Sequence, residues 1–277
     1  MTDAMLRDHE WQYNPRVSTP DADGYRDRAS AASTSMRARR PDAIYDIPYG
    51  PGGNDRLDIF PGTPGGPAHL FLHGGYWRGR DKADYSYLAD TFNSAGISLF
   101  VANYDLCPSV RLADIVRQTR LCMSAFPAVA ADAGCDVGQL SASGHSAGAQ
   151  LLAMCMVESA RIPDGMKSVT LVSGIYDVSH VLSISINETI GLTQADVAPL
   201  SPLHLPLNGD RTVVDVIVGG DESAGWIAQS ALFAERCQTI GLDARLLVQP
   251  GENHFSIMES YGDPGHDLAR RIVTLCI

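Results

Sequence analysis

The stretch SASGHSAGAQLLAM, residues 141–154, places a serine between two glycines where a predicted strand meets a predicted helix. The pattern G-x-S-x-G, here Gly144 to Gly148, permits a sharp strand-to-helix turn that leaves the serine hydroxyl exposed at the carboxyl end of a sheet. A serine that only caps the helix in a tight turn is the alternative interpretation. The strand before the motif and the helix after it favour Ser146 as a nucleophile.

Short apolar runs alternate with amphipathic stretches along most of the chain. The predicted strands are YDIPYG, RLDIF, AHLFLHGG, ISLFVANY, LSASG, SVTLVSG, VVDVIVGG and ARLLVQPG, and the predicted helices include residues 83–96, about 110–132, 147 to about 160, and 225–241. Such alternation indicates an α/β fold with a mainly parallel sheet of about eight strands and helices on both faces. We expect residues 1–277 to form a single domain.

Composition excludes several classes of partner. The formal net charge of −11 provides no basic stripe for nucleic acid or for an anionic membrane surface. Six cysteines without a C-x-x-C pair indicate buried free thiols in a reducing compartment. The first sixteen residues carry charges where a signal peptide needs an apolar core, so we expect a cytoplasmic protein with no membrane contact.

Two segments depart from the alternation. Residues 1 to about 40 are polar and are predicted to be irregular, forming an arm around the domain. Residues 177–210 are rich in turn-forming residues and interrupt the pattern, as a cap or lid inserted beside a site would.

A serine nucleophile needs hydrogen-bond donors for the negative charge of its tetrahedral intermediate. The stretch HLFLHGGYW offers two glycines directly after a buried strand. We expect the N–H groups of Gly75 and Tyr76 to converge with that of Ala147, the residue after the nucleophile. A strand-end turn with no catalytic role is the alternative.

The base and its orienting acid should follow in the chain order Ser, acid, His. His254 fits the base because it lies just beyond the last predicted strand. His145 is predicted to point away from the pocket, and His266 to lie on a surface helix. The acid should follow the strand VVDVIVGG, where Asp221 and Glu222 compete.

The combination HGGYW, GHSAG, GGDES and ENHF resembles the α/β-hydrolase superfamily in its HGG-type esterase branch, and it is especially similar to the kynurenine formamidase (arylformamidase) group. That group's H-G-G-x-W pattern matches His73 to Trp77, and the resemblance extends to YNPR, LDIFP, ANYDLCP and SGIYDV, although related carboxylesterases share much of it. In such hydrolases the acid often stands three residues after a glycine that ends the strand. Gly219 then implies Glu222 rather than Asp221.

The resemblance implies a serine hydrolase that cleaves an aryl formamide such as N-formylkynurenine. Ser146 would attack the acyl or formyl carbonyl, His254 would carry the proton, and Glu222 would hold the imidazole. We expect a small-molecule amide or ester substrate and no cofactor or metal, because no H-E-x-x-H pattern, Cys/His cluster or G-x-G-x-x-G pattern after a strand is present. A general carboxylesterase and a non-catalytic binding protein of the same fold are the alternatives.

Aromatic residues flank the predicted site loops. Trp77, Tyr176, Trp226 and Phe255 are predicted to bind substrate by stacking, the alternative being that they fill core. Arg78 has two interpretations, as a partner for a substrate carboxylate or as a member of a surface ion pair. Both a monomer and a homodimer are compatible with the sequence.

Overall fold

One eight-stranded sheet forms the centre of the molecule, in the order β1-β2-β4-β3-β5-β6-β7-β8. The computed structural model describes residues 3–158, 160, 162–208 and 212–277, with the backbone alone for residues 3–7. The strands are β1 Ile44–Pro48, β2 Arg56–Phe60, β3 Ala68–Leu72, β4 Ser98–Ala102, β5 Leu140–His145, β6 Met166–Val172, β7 Val213–Gly219 and β8 Ala244–Gln249. Strand β2 is antiparallel to β1 and β4, and every other neighbouring pair is parallel. The predicted mainly parallel sheet is therefore confirmed.

Helices cover both faces of the sheet. They are α1 Asp3–Tyr13, α2 Pro15–Ser18, α3 Ala22–Arg39, α4 Ala89–Asn93, α5 Leu112–Asp132, α6 Ala147–Cys155, α7 Asn187–Ile190, α8 Gln194–Leu200, α9 Ala224–Thr239, α10 Ser256–Gly262 and α11 Asp267–Thr274. Three 3₁₀ segments span Lys82–Leu88, Val178–Ser183 and Pro202–His204. Helix α6 ends at Cys155, earlier than the predicted end near residue 160, and residue 159 lies outside the described residues.

Successive residues of a strand point to opposite faces, so each buried strand contributes to two cores. In β3, Leu70 and Leu72 join the apolar cluster under α5, α6 and α9. Phe71 instead joins the cluster under α4, α10 and α11. The continuous apolar runs of the central strands follow from this burial on both faces.

The prediction of an irregular segment over residues 1–40 is wrong for the part that is described, because helices α1, α2 and α3 occupy it. Residues 1 and 2 lie outside the described residues. Helix α3 has no strong apolar stripe; it buries Met36 in the core and also forms ion pairs. Arg37 lies 2.7 Å from the buried carboxylate of Asp58, which also lies 2.8 Å from Lys82 Nζ.

The segment predicted as a cap, residues 177–210, forms α7, α8 and two 3₁₀ segments. Residues 209 and 210 lie outside the described residues. Among the helices that the structure describes, none combines the length and the apolar character needed to cross a bilayer. All six cysteines are free thiols, of which five are buried and Cys135 is half-buried.

Candidate active site

Ser146 lies in the turn between β5 and α6 with φ 55° and ψ −116°, a backbone conformation that residues other than glycine rarely adopt. Its N–H donates to the carbonyl of Val172 on the neighbouring strand β6, at 2.8 Å. The side chain is only 3% exposed. The turn therefore fixes the serine at the carboxyl end of the sheet.

The two glycines of the motif are required by close backbone packing. A Cβ atom on Gly148 would overlap the carbonyl oxygens of Leu72 and His73, at the end of β3. A Cβ atom on Gly144 would overlap the backbone of Gly148. Helix α6 can begin directly beside β3 and β5 only because both positions lack a side chain.

Three side chains that the sequence singles out form a hydrogen-bonded row. Ser146 Oγ lies 3.0 Å from His254 Nε2, and His254 Nδ1 lies 2.7 Å from Glu222 Oε2. The Glu222 side chain is 2% exposed and that of His254 is 5% exposed. Asp221 is exposed, and its backbone N–H donates to the carbonyl of Glu252. Of the two acids left open by spacing alone, it is Glu222 that contacts the imidazole.

Glu222 has two further donors. Ser173 Oγ donates to Glu222 Oε1 at 2.5 Å, and the Gly219 N–H donates to the same oxygen at 2.8 Å. Ser173 directly follows β6, has φ 49°, and was assigned no role from the sequence. Ser173 stands in SGIYDV, at the carboxyl end of the strand that pairs with β7. This position is the sequence feature that could have indicated a role for it.

The loop after β3 lies beside Ser146. Gly75, Tyr76 and Trp77 all have positive φ values, of 112°, 51° and 53°. A Cβ atom on Gly74 would lie 3.2 Å from Ser146 Cβ, so the loop contacts the nucleophile turn. In the described part of the chain, the N–H groups of Gly75, Tyr76 and Ala147 have no hydrogen-bond acceptor. These are the three donors expected to hold an oxyanion.

The prediction that His145 points away from the pocket is wrong, because this residue lines the cleft. His145 is the last residue of β5, and at this end of the strand its side chain reaches the cleft. His145 Nε2 lies 2.9 Å from the carbonyl oxygen of His254, while the buried Nδ1 has no hydrogen-bond partner among the described residues. Burial, followed by the charges of His254 and Arg80, lowers the pKa of His145 well below its ordinary value. The imidazole is therefore neutral and presents Nδ1 as an acceptor.

A cleft of about 340 Å³ opens above Ser146. Of the four aromatic residues predicted to bind substrate, only Phe255 is among the lining residues. Trp77 is fully buried and donates to Gln150 Oε1 at 3.1 Å. Tyr176 is fully buried and stacks on Phe233, with ring centroids 4.2 Å apart. Both are core residues, since their loops turn inward at the strand ends.

Trp226 is likewise 1% exposed and lies behind the imidazole rather than in the cleft. Its indole N–H donates to the carbonyl of Ser173 at 2.8 Å. The indole packs edge-on against His254, with centroids 4.6 Å apart. Trp226 therefore connects Ser173 and His254, the neighbours of Glu222 on either side.

Distant parts of the chain complete the cleft. Asn14, Pro15 and Arg16 line it from the N-terminal helices, and Ile186 and Thr189 line it from the predicted cap. The hydroxyl of Tyr76 donates to the carbonyl of Tyr13, which joins the first helix to the loop after β3. Among the described residues, no group of three or more His, Cys, Asp and Glu side chains is arranged to hold a metal ion.

Comparison with known proteins agrees with this architecture. A crystal structure of a candidate thioesterase from Silicibacter sp. TM1040 superposes with a TM-score of 0.82, at 28% identity, covering 95% of this chain and 97% of that one. A thermophilic carboxylesterase cloned from a metagenomic library superposes with a TM-score of 0.71, at 15% identity, covering 93% and 98%. The protein therefore has the α/β-hydrolase fold and, together with the sequence relatives described below, this makes it a hydrolase.

Its similarity in sequence is to kynurenine formamidases. The kynurenine formamidase of Salmo salar is 26% identical over 275 residues, covering 95% of this chain and 92% of the relative. That of Drosophila melanogaster is 26% identical over 233 residues, covering 79% and 77%. No family model matches the chain. The resemblance predicted from the motifs is confirmed.

Proposed function

We propose that the protein is a serine hydrolase that cleaves an aryl formamide such as N-formylkynurenine. The observation that carries the proposal is the row in which Ser146 Oγ lies 3.0 Å from His254 Nε2 and His254 Nδ1 lies 2.7 Å from Glu222. A nucleophile, a base within hydrogen-bond reach and an acid that orients the base are the parts that acyl transfer requires. The name of the curated relatives supports a formamide as the substrate.

In this mechanism Ser146 Oγ attacks the formyl carbon while His254 Nε2 takes the hydroxyl proton. The carbonyl oxygen becomes an oxyanion and accepts hydrogen bonds from the N–H groups of Gly75, Tyr76 and Ala147. When the C–N bond breaks, His254 delivers the proton to the departing aryl amine. Water then attacks the formyl-serine while His254 takes a proton from it; the bond from Oγ to the formyl carbon breaks, His254 returns the proton to Ser146 Oγ, and formate leaves.

A second candidate, a general carboxylesterase, is supported by the structural neighbours, which include carboxylesterases and a candidate thioesterase. The two reactions use the same residues and differ in the acyl group and the leaving group. Purified protein should be assayed with N-formylkynurenine, phenyl acetate and 4-nitrophenyl butyrate. A kcat/KM at least tenfold higher for the formamide supports the proposal, and the reverse order supports the carboxylesterase.

Replacement of Ser146 by alanine tests the chemistry separately. Loss of a triad nucleophile costs several orders of magnitude in rate. The alanine variant should fold, as checked by its thermal unfolding midpoint. It should nevertheless lose turnover of every accepted substrate. Retention of more than about a tenth of the wild-type rate would show that Ser146 is not the nucleophile. A wild-type protein that binds these compounds without turning any of them over would support a binding protein.

A further inference from the structure

The wall of the cleft carries a concentration of positive charge. Its lining residues include four arginines and, within the described part of the chain, no aspartate or glutamate. The arginines are Arg16, Arg26, Arg78 and Arg80. The whole chain has a formal net charge of −11, so the charge of the cleft wall is opposite in sign to the net charge of the chain. A cleft lined by one sign of charge attracts a ligand of the opposite sign.

Two of these arginines are already paired. Arg16 lies 2.6 Å from Asp23, and Arg26 lies 3.3 Å from Asp23 and 3.1 Å from Asp27. These contacts satisfy the two guanidinium groups within the N-terminal helices, at exposed positions. Arg16 and Arg26 therefore contribute less free positive charge to the cleft.

Arg78 and Arg80 differ from them. Neither has a carboxylate oxygen within 4.0 Å in the described residues, and the contact that Arg78 makes is a hydrogen bond of 3.3 Å to Thr189 Oγ1. Arg80 is half-buried, and its side-chain stem packs beside Gly75, where a Cβ atom would lie 2.9 Å from Arg80 Cγ. A charged side chain that loses contact with water gains from a partner of opposite charge. Arg80 instead holds its guanidinium beside the predicted oxyanion loop without an anionic partner.

The backbone at Arg80 has a φ of 76°, in the left-handed region that residues other than glycine seldom adopt. The adjacent His145 is neutral, as argued above, so it adds no second cation to the wall. A planar guanidinium with free N–H groups matches the two oxygens of a carboxylate.

We propose that Arg80, assisted by Arg78, binds a carboxylate on the part of the substrate that does not react, so that this hydrolase selects anionic acyl compounds. The inference rests on the proposed function for the position of the reacting carbonyl at Ser146. It names the substrate feature that separates this enzyme from an esterase for neutral esters. An amino acid whose side chain bears an aryl formamide has such a carboxylate.

The catalytic test compares N-formylkynurenine with its carboxamide analogue, in which a neutral amide replaces the carboxylate. The wild-type protein should prefer the carboxylate by at least tenfold in kcat/KM. Arg80→Gln should reduce this preference at least tenfold, mainly through KM, and Arg80→Lys should keep part of it. Arg245→Gln removes the same charge at the amino end of β8 and should leave the preference unchanged. Equal turnover of both compounds by the wild type, or an undiminished preference in Arg80→Gln, would overturn the inference.

A binding test does not depend on turnover. Calorimetry should compare N-formylkynurenine binding to Ser146→Ala with binding to the double variant Ser146→Ala, Arg80→Gln. The double variant should bind at least tenfold more weakly, and the difference should shrink as salt screens the charge. If the wild type cleaves neither formamide while this difference persists, the proposed reaction fails and the anion site stands. Absence of binding to Ser146→Ala, or equal binding to both variants, overturns the anion site.

Discussion

Replacing Glu222 by glutamine should impair turnover severely because of what surrounds the carboxylate. Oxygen Oε1 accepts the Gly219 N–H at 2.8 Å. A glutamine would therefore keep its carbonyl oxygen toward Gly219 and turn its NH₂ group toward His254 Nδ1. Nδ1 would then have to accept, which places the imidazole proton on Nε2, facing Ser146. In that tautomer His254 cannot take the serine proton.

The size of the effect follows from the alternative orientation. Turning the amide so that its oxygen faces His254 would leave the buried Gly219 N–H unsatisfied, at a cost of about 1–3 kcal/mol. The productive tautomer is therefore reduced by roughly 5- to 150-fold, since about 1.4 kcal/mol is a factor of ten. Loss of the negative charge beside the imidazolium adds to this reduction. The same exchange in the serine-protease triad costs about 10⁴-fold in kcat. We expect a loss of about 10³- to 10⁴-fold.

The assay is kcat/KM for the best accepted substrate, with Asp221→Asn as the matched control. Asp221 is exposed and contacts Glu252 through its backbone alone, so its amide variant should stay within about twofold of wild type. Thermal unfolding should show both variants folded. An Asp221→Asn variant that is as impaired as Glu222→Gln, or a Glu222→Gln variant that keeps a tenth of the activity, would refute the reasoning.

Three further predictions concern packing, pH and the predicted cap. Gly148→Ala should destabilise the fold by about 1–3 kcal/mol in urea unfolding, because the added carbon overlaps the carbonyl of Leu72; an unchanged midpoint would contradict this. Burial lowers the pKa of His69 to about 3, so the unfolded chain takes up a proton below about pH 6.5 that the folded one refuses. Stability should fall as pH falls through this window, by about 1.4 kcal/mol per pH unit for this group, and His69→Gln should show a shallower slope than wild type. Finally, Ile186 and Thr189 line the cleft, so a bound inhibitor should slow hydrogen exchange in residues 184–190, and equal exchange would count against a covering role.

The centre of the sheet could be predicted because strands such as β3, β4 and β7 are buried on both faces and read as mostly apolar runs. Each of the eight runs corresponds to a strand, whereas the order of the strands and the antiparallel direction of β2 came from the structure. Helices α1 to α3 could not be predicted in this way. They are polar, and contacts such as that between Arg37 and Asp58 join residues 21 positions apart in the chain. Such contacts produce no periodic apolar pattern in the sequence, so the helices could not be predicted from one.

In the site, the positions of the residues could be predicted from the sequence, but the directions of some side chains could not. Ser146, His254 and the loop at Gly75 each follow a strand and carry a motif, so the topology places them at one edge of the sheet. Their catalytic roles stay predictions. The direction of a side chain in a loop depends on local φ values, and for this reason Trp77 was predicted in the cleft but lies in the core.

The cleft is bordered by Asn14 near the start of the described chain and by Phe255 near its end. The first helix is docked on α9, where Ser223 donates to the carbonyl of Gln12, and Tyr13 stacks on His180 with centroids 3.9 Å apart. During synthesis on the ribosome, the cleft cannot be complete until the chain from Asn14 to Phe255 has emerged. The same arrangement guides the handling of the protein. A purification tag is better fused after Ile277, which is 67% exposed, than ahead of the first helix, which is docked on α9.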